Sequence, residues 1–205
     1  MLASAVALVV APGVAVAQRG GDTGGVYGRL DGDLVLSAEV MGLAADTSTG
    51  LAGAASVALR ARYMEMTGAA LGYDRAVSQS RHDALWLAVD FRPAWLARLT
   101  NDMERGPRWL DLALDSIGVE IGGAWLRPGE AVRAGGGFGF VLGGGVELPI
   151  VWSRGDGVML RLAARWITSR AWDAQGTGAR DGVFEAGVGV VFRTIVRTGT
   201  VARYE

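Results

Sequence analysis

Cysteine is absent from this 205-residue chain. That removes disulfides, thiol catalysis, thiolate metal sites and a lipidated cysteine anchor. Lysine is absent too. All 20 basic side chains are arginine, the cation better suited to buried ion pairs. His82 is the only histidine, so an imidazole-based mechanism has one candidate. No grouping of His and carboxylates has metal-ligand spacing, and no cofactor is expected. The net charge of −1 lacks the basic footprint of a nucleic-acid binder.

Long apolar runs are also missing. Beyond the N-terminus nothing approaches the ~18 consecutive apolar residues of a transmembrane helix. Yet apolar residues make up 50% of the chain, and mean hydropathy is +0.27. An oily average without an oily run requires apolar residues spaced by a short period.

The N-terminus is the exception. "LASAVALVVAPGVAVAQ" has an apolar core, a Pro12-Gly13 break and a small-residue Ala15-Val16-Ala17 site before Gln18. This pattern predicts a signal peptide over 1–17 and an exported domain over 18–205. A domain of that length is expected to be single.

What fills the rest is alternation. In "RLDGDLVLSAEV", Leu30, Leu34, Leu36, Ala38 and Val40 share one parity. Arg29, Asp31, Asp33, Ser37 and Glu39 share the other. A period of two marks a strand with one oily and one polar face. The same pattern recurs around residues 56–63, 84–92, 117–125, 138–152, 160–166 and 184–193. Turn-rich stretches separate these segments, among them "ADTSTG", "DRAVSQSRHD", "RPGE", "SRGDG" and "DAQGTGARDG". Short strands joined this way predict an antiparallel meander. Seven strands are evident; an eighth is expected in the tail, 195–205, because closed bacterial barrels need an even number.

Residues 93–116 break the pattern. Trp95, Leu96, Leu99 and Met103, then Trp109, Leu110, Ala113, Leu114 and Ile117, fall at helical offsets. Gly106-Pro107 divides them. A short helical hairpin inserted between two strands is expected, with a strand through Leu110, Leu112 and Leu114 as the competing pattern.

The charges segregate. On the polar parity lie Arg29, Arg60, Arg62, Arg92, Arg161, Arg165 and Arg193. With them lie Asp31, Asp33, Glu39, Asp90, Glu120, Glu147 and Glu185, seven of each sign. Two architectures fit. A membrane barrel turns its apolar face to lipid and its charges inward. A lipocalin-like barrel does the reverse. Three features favour the first. The charged parity is mixed with very small residues, among the chain's 32 glycines, and a narrow lumen needs such residues beside each arginine. Equal numbers of opposite charges suit a dry interior. Trp125, Trp152 and Trp166 lie on the apolar parity near segment ends, where aromatic girdles sit.

Glu185, Gly187, Val190 and Phe192 match the assembly signal of outer-membrane barrels: a polar residue, Gly two later, then apolar or aromatic anchors. Arg197, Gly199, Ala202 and Tyr204 form a weaker second match. On these residues the exported chain resembles the small outer-membrane β-barrels of Gram-negative bacteria, in the eight-stranded size class. The block from Phe91 to Gly122 also resembles a segment of uncharacterised predicted barrels, a similarity that carries no known activity. The resemblance implies an outer-membrane location, with outer-membrane lipid and the barrel-assembly machinery as partners. It identifies no protein partner.

Two motifs invite chemistry. "SQSRHD" holds Ser78, Ser80, His82 and Asp83, and some outer-membrane barrels are lipid-modifying hydrolases with a Ser, a His and an acid. Neighbours on one loop rarely converge on one substrate atom, so a solvated turn is the favoured reading. "GGGFGFVLGGG" lacks the Lys-Ser/Thr ending of a phosphate loop and reads as a Gly-rich barrel strand.

The expectation is therefore an all-β, up-and-down transmembrane β-barrel of about eight strands. Its lumen is closed or nearly closed by ion pairs, and its role is non-enzymatic, structural or in interaction. The alternatives are a secreted lipocalin-like barrel binding an apolar ligand, and an outer-membrane lipid hydrolase using His82.

Overall fold

The computed structural model describes residues 34–47, 50–77, 83–100, 108–127, 137–153, 156–168, 182–196 and 198. The eight strands are β1 (Leu34–Thr47), β2 (Gly50–Tyr63), β3 (Thr67–Ala76), β4 (Asp83–Phe91), β5 (Gly118–Arg127), β6 (Gly137–Ser153), β7 (Asp156–Thr168) and β8 (Gly182–Val196). Each pairs antiparallel with its neighbour in sequence, and β8 pairs with β1, closing the barrel. Closure satisfies the backbone groups that an open edge would expose.

The register explains why the sequence alternates. Pairs such as Val40↔Val57 and Val40↔Val190 place apolar side chains side by side on the outer surface. Residues one step away, such as Glu39, Arg60 and Glu185, point inward and are buried. Leu59, Leu87, Ile121, Phe140, Leu162, Val188 and Phe192 are all exposed. A charged exterior around an apolar cavity, which the lipocalin-like alternative needs, is the reverse of what is found.

The eighth strand is not in the tail. It is β3, "TGAALGYDRA", in the stretch before and within what the sequence suggested was a turn. Its inward residues include Gly68, Ala70 and Gly72, and its outward set includes Ala69. Contrast between faces is too weak there to show the period. The barrel closes through β8, and residues 199–205 lie outside the described set, as do residues 1–17, where a signal peptide is expected, and Gly199, Ala202 and Tyr204 of the weaker assembly match.

The two ends of the barrel differ. One end carries the start of β1, the finish of β8 and the connections 64–66, 92–117 and 154–155. The opposite end carries the connections 48–49, 77–82, 128–136 and 169–181. The connection 92–117 holds α1 (Pro93–Thr100) and α2 (Arg108–Asp115), the expected hairpin. Pro93 suits a first helical position because its missing N–H would have no partner there. Asp111, in the first turn of α2, is favoured by the helix dipole. Just past α2, Ser116 Oγ donates to the Ala113 carbonyl at 2.7 Å.

Candidate functional site

The inward parity converges on a dense set of buried ion pairs. Six arginines take part: Arg60, Arg62, Arg92, Arg161, Arg165 and Arg193. Seven carboxylates face them: Glu39, Glu65, Asp74, Asp90, Glu120, Glu147 and Glu185. All are buried, and Arg62 and Glu147 are only 1% and 2% exposed. Burying so much charge is costly unless every ion is paired and hydrogen-bonded.

Pairing is dense. Arg60 Nε donates to Glu39 at 2.9 Å, and its Nη1 donates to Glu120 at 2.7 Å and Asp90 at 3.2 Å. Arg62 donates to Asp90 at 2.7 Å and Glu147 at 3.1 Å. Arg161 reaches Glu147 at 3.0 Å and Glu39 at 3.3 Å, and also pairs with Glu120. Glu147 is the hub: it also accepts from Arg92 at 2.7 Å. These contacts join β1, β2, β4, β5, β6 and β7 across the lumen.

Toward the end bearing 128–136 and 169–181, a second cluster forms. Arg165 Nη2 donates to Asp74 at 3.0 Å and to Glu185 at 3.4 Å. Trp86 Nε1 donates to the other Asp74 oxygen at 3.2 Å. The Trp86 ring is near both Arg165 and Arg60, whose guanidinium carbons are 4.7 and 5.7 Å from its centroid. Both distances fall within cation–π range, so this ring bridges the two clusters. Beyond it the lumen turns apolar: Ala45, Ala52, Ala84, Leu126, Val141, Ile167 and Val183 pack together at that end.

Small residues make the room. A Cβ on Gly72 would lie 2.2 Å from the Trp86 ring, and one on Gly143 would lie 2.7 Å from the Arg165 side chain. A Cβ on Gly145 would stand 3.0 Å from the Arg161 guanidinium. The glycines are thus complements of large neighbours on the adjoining strand. The gap lined by Glu39, Met41, Arg60, Glu120 and Arg165 does not admit a water-sized sphere.

Most of the predicted ladder is assembled here: Glu39, Arg60, Arg62, Asp90, Arg92, Glu120, Glu147, Arg161, Arg165, Glu185 and Arg193. Arg29, Asp31 and Asp33 lie outside the described residues. The sequence reading missed Asp74, because β3 was not recognised, and Glu65. Glu65 sits in the β2–β3 turn, closed by Met66 N–H donating to the Tyr63 carbonyl at 3.0 Å. Met64 and Glu65 have φ of 47° and 62°, a conformation costing about 1–2 kcal/mol per non-glycine residue. Such strain persists when the surroundings dictate it. Here Arg92, at 3.1 Å, and Arg193 pull the Glu65 carboxylate into the barrel mouth. The turn lacks the Gly or Asn that marks such hairpins, so the sequence carried no signal for it.

The remaining candidates have plain fates. Glu185 and Gly187 face inward on β8; Phe192 faces out. Ser78, Ser80 and His82 lie outside the described residues. Asp83 braces the β3–β4 hairpin, accepting from Tyr73 Oη and Ala76 N–H, both at 2.8 Å. Among the described residues no group of His and carboxylates could hold a metal ion.

No family model and no curated protein matches the chain. Several solved structures are similar to it. The N-terminal β-barrel domain of Pseudomonas aeruginosa OprF aligns over 78% of this chain and 97% of its own, at 12% identity and a TM-score of 0.48. Neisserial surface protein A aligns over 80% and 97%, at 10% identity and a TM-score of 0.43. A de novo designed transmembrane β-barrel aligns over 77% and 95%, at 9% identity and a TM-score of 0.36.

Proposed function

We propose that this chain is an outer-membrane-embedded β-barrel, non-enzymatic, whose ion-paired lumen is a structural plug rather than a solute path. The observation that carries it is the inverted distribution of side chains. Along the middle of the described strands charge is confined to the interior, while the outer wall bears Leu, Val, Ile and aromatic residues; the outward charges Asp46, Arg75 and Arg127 stand at strand ends on one rim. In water such a wall would be an aggregation surface far beyond the patch size soluble proteins tolerate. In lipid it is the required surface.

The dimensions agree. Phe184 and Phe192 both face outward on β8, eight positions apart. At ~3.3 Å per residue and a tilt near 40°, they stand about 20 Å apart along the axis, close to the ~25 Å apolar band of such barrels. Trp125, Phe138, Trp166 and Phe184 lie toward one end, and Tyr63, Phe91 and Phe192 toward the other, all exposed. Two aromatic belts fit two interfaces.

Glu185, Gly187, Val190 and Phe192 then serve as the signal read by the barrel-assembly machinery, since β8 is the strand that closes the wall. The test is membrane fractionation with a heat-shift gel. The protein is expected in the urea-resistant membrane fraction, migrating faster unheated than boiled. A monodisperse monomer in detergent-free buffer would overturn the proposal.

A further inference from the structure

The helical hairpin follows the same inverted rule as the barrel. On α2, Trp109 is 61% exposed and Leu110 36%, and Ile117 just beyond is 41% exposed. At 100° per residue these side chains and half-buried Leu114 form one stripe. The other side of α2 carries Asp111 and Asp115, each 2% exposed and both paired with Arg98 of α1; Arg98 Nε donates to Asp115 at 2.8 Å. A helix lying in water turns its carboxylates out and its Trp and Leu in. None of the exposed side chains described on α2 carries a charge.

The stripe is continuous with the barrel wall. Ile117 shares the outward parity of Val119 and Ile121 on β5, and Val119 pairs with outward Phe91 on β4. The apolar surface of β4 and β5 therefore runs onto α2 at the end where β1 starts and β8 finishes.

We infer that α2 is a lipid-contacting element: Trp109, Leu110 and Ile117 rest in the headgroup–acyl boundary of the leaflet at that end, with the Arg98–Asp111–Asp115 cluster turned away from lipid. This rests on the membrane reading of the barrel and extends it to a segment outside the wall. Trp109 suits that depth because its ring is apolar and its N–H needs a polar partner. The inserted hairpin is then a collar seated on the bilayer, not a domain projecting into solvent.

The absence of cysteine makes the test direct. Single variants Leu110→Cys, Trp109→Cys and Val188→Cys are labelled with an environment-sensitive fluorophore and reconstituted in phosphatidylcholine vesicles, each checked for its folded band. Val188, in the middle of β8, is the reference for the wall. Acyl-brominated phosphatidylcholine is expected to quench the labels at 109 and 110 to about half or more of the quenching at 188, with little effect of iodide. Iodide quenching at 109 and 110, with the label at 188 still lipid-quenched, would overturn the inference and leave the barrel reading intact. Iodide quenching at all three positions would overturn both.

Discussion

Replacing Arg161 by Met is the sharpest probe of the lumen. The stem volume is roughly kept and the guanidinium removed, so packing changes little and charge changes by one. Three carboxylates lose a partner: Glu147 at 3.0 Å, Glu39 at 3.3 Å, and Glu120. None is stranded, because Glu39 and Glu120 keep Arg60 at 2.9 and 2.7 Å, and Glu147 keeps Arg92 at 2.7 Å. Breaking a buried pair by removing one partner costs about 3–5 kcal/mol. The remaining arginines place Arg161→Met near the lower figure. Charge balance works the other way. The described lumen holds six arginines against seven carboxylates, and the substitution leaves five against seven. Glu147→Gln moves the balance toward neutrality, so the double variant should lose less than the two single losses combined, with a coupling of about 0.5–3 kcal/mol. Urea titration in detergent micelles, followed by tryptophan fluorescence, reads these values. A loss of 3 kcal/mol shifts the midpoint by at least about 1 M at the slopes usual for small proteins. If Arg161→Met falls within ~0.5 kcal/mol of the parent, as a surface substitution does, the lumen network does not hold the barrel together.

Gly72→Ala sets a Cβ 2.2 Å from the Trp86 ring, so the ring must leave its place beside Arg60 and Arg165. A loss of about 1–3 kcal/mol is expected, together with a changed near-ultraviolet dichroism; an unchanged spectrum would contradict the bridging role. Val188→Arg places a cation on the outer wall at mid-depth, at a cost of roughly 2–4 kcal/mol; folding yield into vesicles should fall, whereas a yield equal to the parent's would argue against lipid contact there. Deleting residues 197–205 should leave the heat-shifted band in place, because β8 already pairs with β1; loss of the band would show that the tail is needed for closure.

The alternation in the sequence was sufficient to establish strands, their antiparallel connection and the separation of charge from oil. Each strand carries its own period-two record, so local reading is enough. The inserted hairpin was legible for the same reason at period 3.6, and the small residues beside Arg161 and Arg165 were visible as glycines on the charged parity. Where contrast was low the reading failed: β3 has Ala and Gly on its inner face and Ala69 among its outer residues, and its Asp74 went with it.

Other features belonged to the tertiary structure alone. Parity says that Glu39 and Arg60 share a face, but not whether that face is inside. The direction in which the sheet curls decides that, and curling is a property of eight strands together. Nor does parity say which ions meet. Glu147 gathers Arg62 of β2, Arg92 just past β4 and Arg161 of β7 because closure brings distant sequence to one axis. The position of Glu65 in a strained turn had no period to announce it, and Arg92, just past β4, and Arg193 of β8 hold it there.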